Sequence, residues 1–129
     1  MSNIPEDLRY SKDHEWVSVE GDVASIGITD YAQHSLGDVV YIDLPRAGDK
    51  FAAHESFGSV ESVKAVSEVF TPIAGEVVEV NDTINDSPEN VNGDPYGIGW
   101  FMKLKMANPG EADGLMSGEE YEEYLSANA

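Results

Sequence analysis

Phe57-Gly58-Ser59-Val60-Glu61-Ser62-Val63-Lys64-Ala65-Val66-Ser67-Glu68-Val69-Phe70 is the stretch on which the fold turns. Strand-forming residues run into Lys64 from Val60 and away from it to Phe70. If the chain reverses between them, Lys64 stands exposed at the tip of a tight hairpin, with the sheet holding its backbone rigid. An amine at a fixed and reachable position is what a modifying enzyme requires. The same spacing also describes an ordinary surface lysine in a β-turn, and composition alone does not separate the two.

The flanking sequence extends the β pattern. Gly37-Asp38-Val39-Val40-Tyr41-Ile42-Asp43 reads as a strand, stopped by Leu44-Pro45 and the turn residues Ala47-Gly48-Asp49. Gly75-Glu76-Val77-Val78-Glu79-Val80-Asn81 echoes it, a weak internal repeat of the kind shown by folds built from two similar halves. Upstream, Trp16–Val19 and Val23–Ile28 flank Glu20-Gly21-Asp22 and predict a hairpin. Thr29 to Gly37 predicts a two-turn helix, with Asp30 as its cap, Gln33 three residues on and Gly37 closing it.

Residues 81–99 are polar and turn-rich, an ordered loop tied down by Ile84, Val91 and Tyr96. From Trp100 to Met106 the residues alternate, which assigns Trp100, Met102, Leu104 and Met106 to a buried face. Two short helices are expected to start at Asn108-Pro109-Gly110-Glu111 and at Ser117-Gly118-Glu119-Glu120. Tyr121, Tyr124 and Leu125 give the second a narrow apolar stripe. The reading is a mainly β domain over residues 1–129 with short helices, two of them at the C-terminus.

Charge and composition exclude several functions. With 129 residues the chain suits one domain, and 41% hydrophobic against 25% charged residues marks it as globular rather than disordered. A formal charge of −18 repels phosphate backbones and anionic lipid, so nucleic acid and membrane surfaces are poor partners. Basic patches on other proteins suit it better. The absence of cysteine excludes disulfides and thiolate chemistry and fits a reducing compartment. Met1 to Tyr10 shows neither a secretory signal nor an Arg-rich transit peptide, and apolar runs such as Val77-Val78 are too short to span a membrane. A cytoplasmic location is expected, or a mature organellar form.

Independent catalysis also lacks parts. His14, His34 and His54 have no metal-ligand spacing, and Asp82–Asp86 is only faintly like a calcium loop, with Ile84 at a ligand position. Gly97-Ile98-Gly99 runs into a strand instead of a phosphate-binding helix. No nucleophile elbow is present.

Glu61-Ser62-Val63-Lys64-Ala65 resembles the lipoylation site of the glycine cleavage system H-protein family. The likeness continues in order through His14-Glu15-Trp16, Gly27-Ile28-Thr29-Asp30-Tyr31, Leu36-Gly37-Asp38-Val39-Val40 and Leu44-Pro45. It resumes through Pro72-Ile73-Ala74-Gly75-Glu76-Val77, Ser87-Pro88-Glu89 and Pro95-Tyr96-Gly97-Ile98-Gly99-Trp100. The resemblance implies a barrel-sandwich hybrid like that of lipoyl and biotinyl carriers, with lipoate in amide linkage on Lys64 and no enzymatic activity of its own.

It further implies a carrier that takes an aminomethyl group from a pyridoxal-phosphate-dependent glycine decarboxylase, the P protein. An aminomethyltransferase, the T protein, would take the carbon, and dihydrolipoamide dehydrogenase, the L protein, the electrons. A lipoate-attaching enzyme would act first. In the family the loaded arm folds into a cleft on the carrier, where carboxylates pair with its amine. Matching positions make Glu15 and Glu68 the candidates for that aminomethyl-arm cleft. Glu68 departs from the family, which often has Asp there; Asp13 and His34 fall in variable segments and receive no role.

Three rivals remain. A biotin carrier would have methionines beside the lysine where Val63 and Ala65 stand, and a lipoyl domain of a 2-oxoacid dehydrogenase would show Asp-Lys-Ala and a linker. The alternative that the residues leave open is a relay protein donating lipoyl groups to other proteins.

Overall fold

The computed structural model describes residues 4–128. Met1–Asn3, part of the stretch read for a targeting signal, and Ala129, the end of the expected domain, lie outside the described residues.

β2 (Glu15–Glu20) and β3 (Val23–Ile28) form the expected hairpin. Gly21 takes its first turn position at φ 67°, where a side chain would be strained. With β1 (Arg9–Tyr10), β5 (Lys50–Phe51), β8 (Gly75–Val80) and β9 (Met102–Met106) they build a six-stranded sheet in the order β1-β2-β3-β9-β8-β5. β4 (Val39–Asp43), β6 (Ser56–Ser62) and β7 (Val66–Phe70) make a second sheet in the order β4-β6-β7. Every pairing is antiparallel, and among the described residues no strand pair joins the sheets into a closed barrel. The main core contains Val17, Ile26 and Leu104 from the larger sheet and Ile42, Val60 and Val69 from the smaller.

The internal echo is structural. β4 lies in the small sheet and β8 in the large one, and each carries a register shift at the same place in the repeat. The shift falls between Val39 and Tyr41 in β4 and between Val77 and Glu79 in β8. The extra residue of each bulge, Val40 and Val78, is exposed, while Val39 and Val77 are buried. Strict alternation fails at both strands for this one reason.

α1 (Asp30–Leu36) has the expected extent, but its cap is Thr29, whose hydroxyl accepts from the Ala32 amide. Asp30 sits inside the first turn and accepts a hydrogen bond from the Gln33 side chain. The stretch read as a loop over 81–99 contains α2 (Thr83–Asp86) and α3 (Glu89–Gly93), with Ile84 and Val91 fully buried as expected.

Trp100 is corrected. β9 begins only at Met102, so Trp100 does not share its alternation; it is half-buried, with Lys103 Nζ 5.1 Å from its ring. Phe101 takes the core place because its amide donates to Ile26 O while its carbonyl accepts from the Asn81 amide, which turns its ring inward.

At the C-terminus a 3₁₀ helix (Pro109–Gly114) precedes α4 (Gly118–Asn128). Ser117 and Glu120 close a reciprocal capping box at α4, Glu120 N donating to Ser117 Oγ and Ser117 N to Glu120 Oε1. Tyr121 is fully buried with Tyr10 and Trp16 in a second cluster. Tyr124 and Leu125 are only partly covered.

Candidate functional site

The last rung between β6 and β7 is Glu61 opposite Val66, so Ser62-Val63-Lys64-Ala65 makes the turn. Ser62 holds it together. Its amide donates to Ala65 O at 2.8 Å, and its hydroxyl oxygen accepts from the Lys64 and Ala65 amides at 3.2 Å each. Val63 N adds a bond to Asp38 O at 3.0 Å. The Lys64 backbone is therefore clamped while its side chain is exposed.

That side chain lies across the end of α1. Lys64 Nζ donates to Ser35 O at 3.4 Å, and a Cβ placed on Gly37 would stand 3.2 Å from Lys64 Cε. A methyl group there would displace the lysine stem by a few tenths of an ångström, and Gly37 sits at φ 82° and ψ −157°, a region nearly restricted to glycine. Asn92 braces the corner from behind. Its Nδ2 donates to Gly37 O and Gln33 Oε1 at 2.9 Å each, and its Oδ1 accepts from Val39 N at 2.8 Å.

Ser35 lines a cleft of about 170 Å³ and none of three larger hollows. One wall comes from Asp13 and His14 of the turn between β1 and β2 and from Glu15 at the start of β2; Ser67 and Glu68 of β7 form another. Ile28, Leu36 and Val60 make its apolar lining. Both carboxylates expected for a cleft thus line one hollow, in different settings. Glu68 is exposed at the rim, whereas Glu15 is 2% exposed.

Burial pushes the Glu15 carboxyl up to about 7, and the nearby Asp13 charge acts in the same direction. A hydrogen bond from Ser11 Oγ at 2.5 Å and another from the Phe70 backbone partly offset this. The arrangement is a carboxyl poised between its neutral and charged forms in a cleft whose lining residue Ser35 accepts from the Lys64 amine. An anion in that position suits an amine cargo, which would supply the missing counter-charge.

The family model described as Glycine cleavage H-protein matches residues 8–128. The chain belongs to that family. A glycine cleavage system H protein from Carboxydothermus hydrogenoformans is 54% identical over 125 residues, covering 97% of this chain and 96% of the relative. One from Halothermothrix orenii is 52% identical over 123 residues, covering 95% and 96%. A crystal structure of a glycine cleavage system H protein from Mycobacterium marinum superposes with a TM-score of 0.88 at 37% identity, covering 95% of this chain and 99% of that one. As a member of the H-protein family, the chain has the lipoyl-carrier role in glycine cleavage that the resemblance implies.

Other residues of this H-family chain fall away from the cleft. His34 is exposed in the last turn of α1, and His54 is exposed near the start of β6. Among the described residues no group of three or more His, Asp or Glu could hold a metal ion, and no helix is long and apolar enough to cross a membrane.

Sequence reasoning missed Ser11, Ser62, His14 as a lining residue and the Ser35 carbonyl. A serine two residues before a hairpin-tip lysine signals a side-chain-closed turn. For Ser11 the sequence holds no signal, because its approach to Glu15 depends on the turn bringing residues 11 and 15 face to face.

Proposed function

We propose that Lys64 carries lipoate in amide linkage and that the chain shuttles the aminomethyl group of glycine from the P protein to the T protein and electrons to the L protein. One observation carries the reading. Lys64 has a clamped backbone and an exposed side chain whose tip donates to Ser35 O, a residue of the cleft that holds Glu15. The residues fit the group, since Gly37 leaves space for the lysine stem and the cleft has apolar walls with a carboxyl at one side.

A lipoyl group supplies the two sulfurs that take the one-carbon unit and the electrons. The protein supplies position, charge and dryness. Lys64 presents the attachment amine at a fixed height above α1. Glu15, charged when an ammonium approaches it, holds that ammonium by a charge-assisted hydrogen bond. Ile28, Leu36 and Val60 keep water from the bound amine, and Glu68 at the rim adds negative charge to the entrance. The net charge of −18 steers the chain to basic surfaces on the P, T and L proteins and on the lipoate-attaching enzyme. The proposed setting is the cytoplasm, and the lack of cysteine prevents mixed disulfides between the chain and its cofactor.

Intact-protein mass spectrometry after expression with lipoate and its ligase tests this. A lipoyl-sized mass increase that is absent in Lys64→Ala is expected, and an unmodified wild type would refute the attachment. Exchange of labelled bicarbonate into glycine, measured with the purified decarboxylase, separates glycine cleavage from lipoyl relay.

A further inference from the structure

Behind the cleft the Tyr121 hydroxyl adds a side-chain link between two walls that the Thr29 amide already joins by donating to His14 O at 3.0 Å, next to the Glu15–Ile28 rung of the β2–β3 ladder. His14 belongs to the turn between β1 and β2, and Thr29 caps α1. The phenol oxygen of Tyr121 in α4 lies 2.8 Å from His14 Nδ1 and 2.8 Å from Thr29 Oγ1. Thr29 Oγ1 also accepts from the amide of Ala32, a cleft residue. Tyr121 has no exposure, and its ring stacks on Tyr10 at 4.7 Å and 6°.

The proton inventory gives this chain one direction. The Ala32 amide donates to Thr29 Oγ1, Thr29 donates to Tyr121, and Tyr121 donates to an unprotonated His14 Nδ1, so each hydroxyl accepts once and donates once. A proton on Nδ1 would reverse the order and leave the buried Thr29 hydrogen to find another acceptor. Burial also lowers the proton affinity of His14, in the same sense. Aligned donors of this kind strengthen one another.

We infer that Tyr121 is a positioning residue of the cleft, its hydroxyl fixing the His14 side chain on the cleft wall, where the backbone spacing is already held by the Thr29 N–His14 O bond and the Glu15–Ile28 rung. The C-terminal helix thereby sets where the His14 ring lies in the wall that meets the cargo. The inference rests on the lipoyl-carrier reading of Lys64.

Tyr121→Phe keeps the ring and its stack and removes only the hydroxyl. In the unmodified protein, ¹⁵N NMR is expected to show His14 Nδ1 losing its hydrogen bond, and the Ala32 amide is expected to exchange about tenfold faster. After loading from glycine, at equal lipoyl content, ammonia release is expected to be about tenfold faster. Thr29→Val removes the acceptor of the Ala32 amide directly and leaves Tyr121 able to donate to His14, so it should speed Ala32 exchange while His14 Nδ1 keeps its hydrogen bond; Thr29→Ser, which keeps the hydroxyl, should behave like wild type. If Tyr121→Phe fails to fold, the wild-type ¹⁵N signal of His14 decides, and an Nδ1 without a hydrogen bond there overturns the inference. Wild-type His14 signals and wild-type ammonia release in Tyr121→Phe would also overturn it. Failure of the wild type to take up lipoate overturns the carrier reading instead and leaves the NMR comparison to judge the chain.

Discussion

Lys64 and Gly37 are fitted to one another: the lysine stem crosses the one position of the α1–β4 corner that has no side chain. Gly37 also occupies a backbone region that is nearly restricted to glycine, at φ 82° and ψ −157°. Gly37→Ala is therefore expected to cost about 1–3 kcal/mol from backbone strain. It should also push the Lys64 stem outward, away from Ser35. Urea unfolding reads the first effect and NMR shifts of the Lys64 side chain the second; unchanged values for both would refute the fit.

The Ser62 clamp makes a separate prediction. Ser62 is 6% exposed, and its hydroxyl takes two turn amides. Ser62→Ala leaves both donors without that partner and should cost about 1–3 kcal/mol. The local consequence is the more telling one: hydrogen exchange at the Lys64 and Ala65 amides should accelerate while exchange in β2 and β3 changes little.

Glu15 makes stability depend on pH. Its folded-state pKa of about 7 lies above the ordinary 4.5, so the folded state holds the proton more tightly than the unfolded chain. The associated stability is fully present below about pH 4.5 and is lost as pH rises through about 7. At about 1.4 kcal/mol per tenfold change in proton affinity, the loss is on the order of 3 kcal/mol. Glu15→Gln should remove this slope. The check is urea unfolding of both proteins between pH 5 and pH 8, where the wild-type-minus-variant difference must change with pH.

Asn92 bridges three backbone or side-chain groups from one amide. Asn92→Leu strips Val39 N and Gly37 O of their partners at the open edge of the small sheet and should cost about 2–3 kcal/mol. Asn92→Asp keeps the acceptor for Val39 N but sets a carboxylate oxygen against Gly37 O and Gln33 Oε1, so it should be destabilised too. Wild-type thermal unfolding of Asn92→Leu would show that the brace contributes nothing.

Much of the fold was legible. The hairpin across Gly21, the strands around Lys64 and the two-part repeat follow from patterns of period two and from turn residues whose preferences are local. The shared bulge was hidden, because an extra residue in a Val-rich run resembles ordinary strand sequence until its partner strand is known. α2 and α3 were hidden too: helices of four and five residues are below the length at which a period of 3.6 can be recognised.

By itself the sequence determined Lys64 at a strand reversal, the acidic charge, the absence of thiols and, by resemblance along the chain, the family. It also singled out Glu15 and Glu68. Only the tertiary structure decided that these two line one cleft, that one is buried and the other exposed, and that Ser35 brings the tip of Lys64 to its edge. The reason is physical. Strand and turn preferences act over a few neighbouring residues, whereas the charge state of Glu15 depends on water excluded by segments far apart in the chain. The contact between Lys64 and the corner at Gly37 likewise exists only once β6, α1 and α3 have packed.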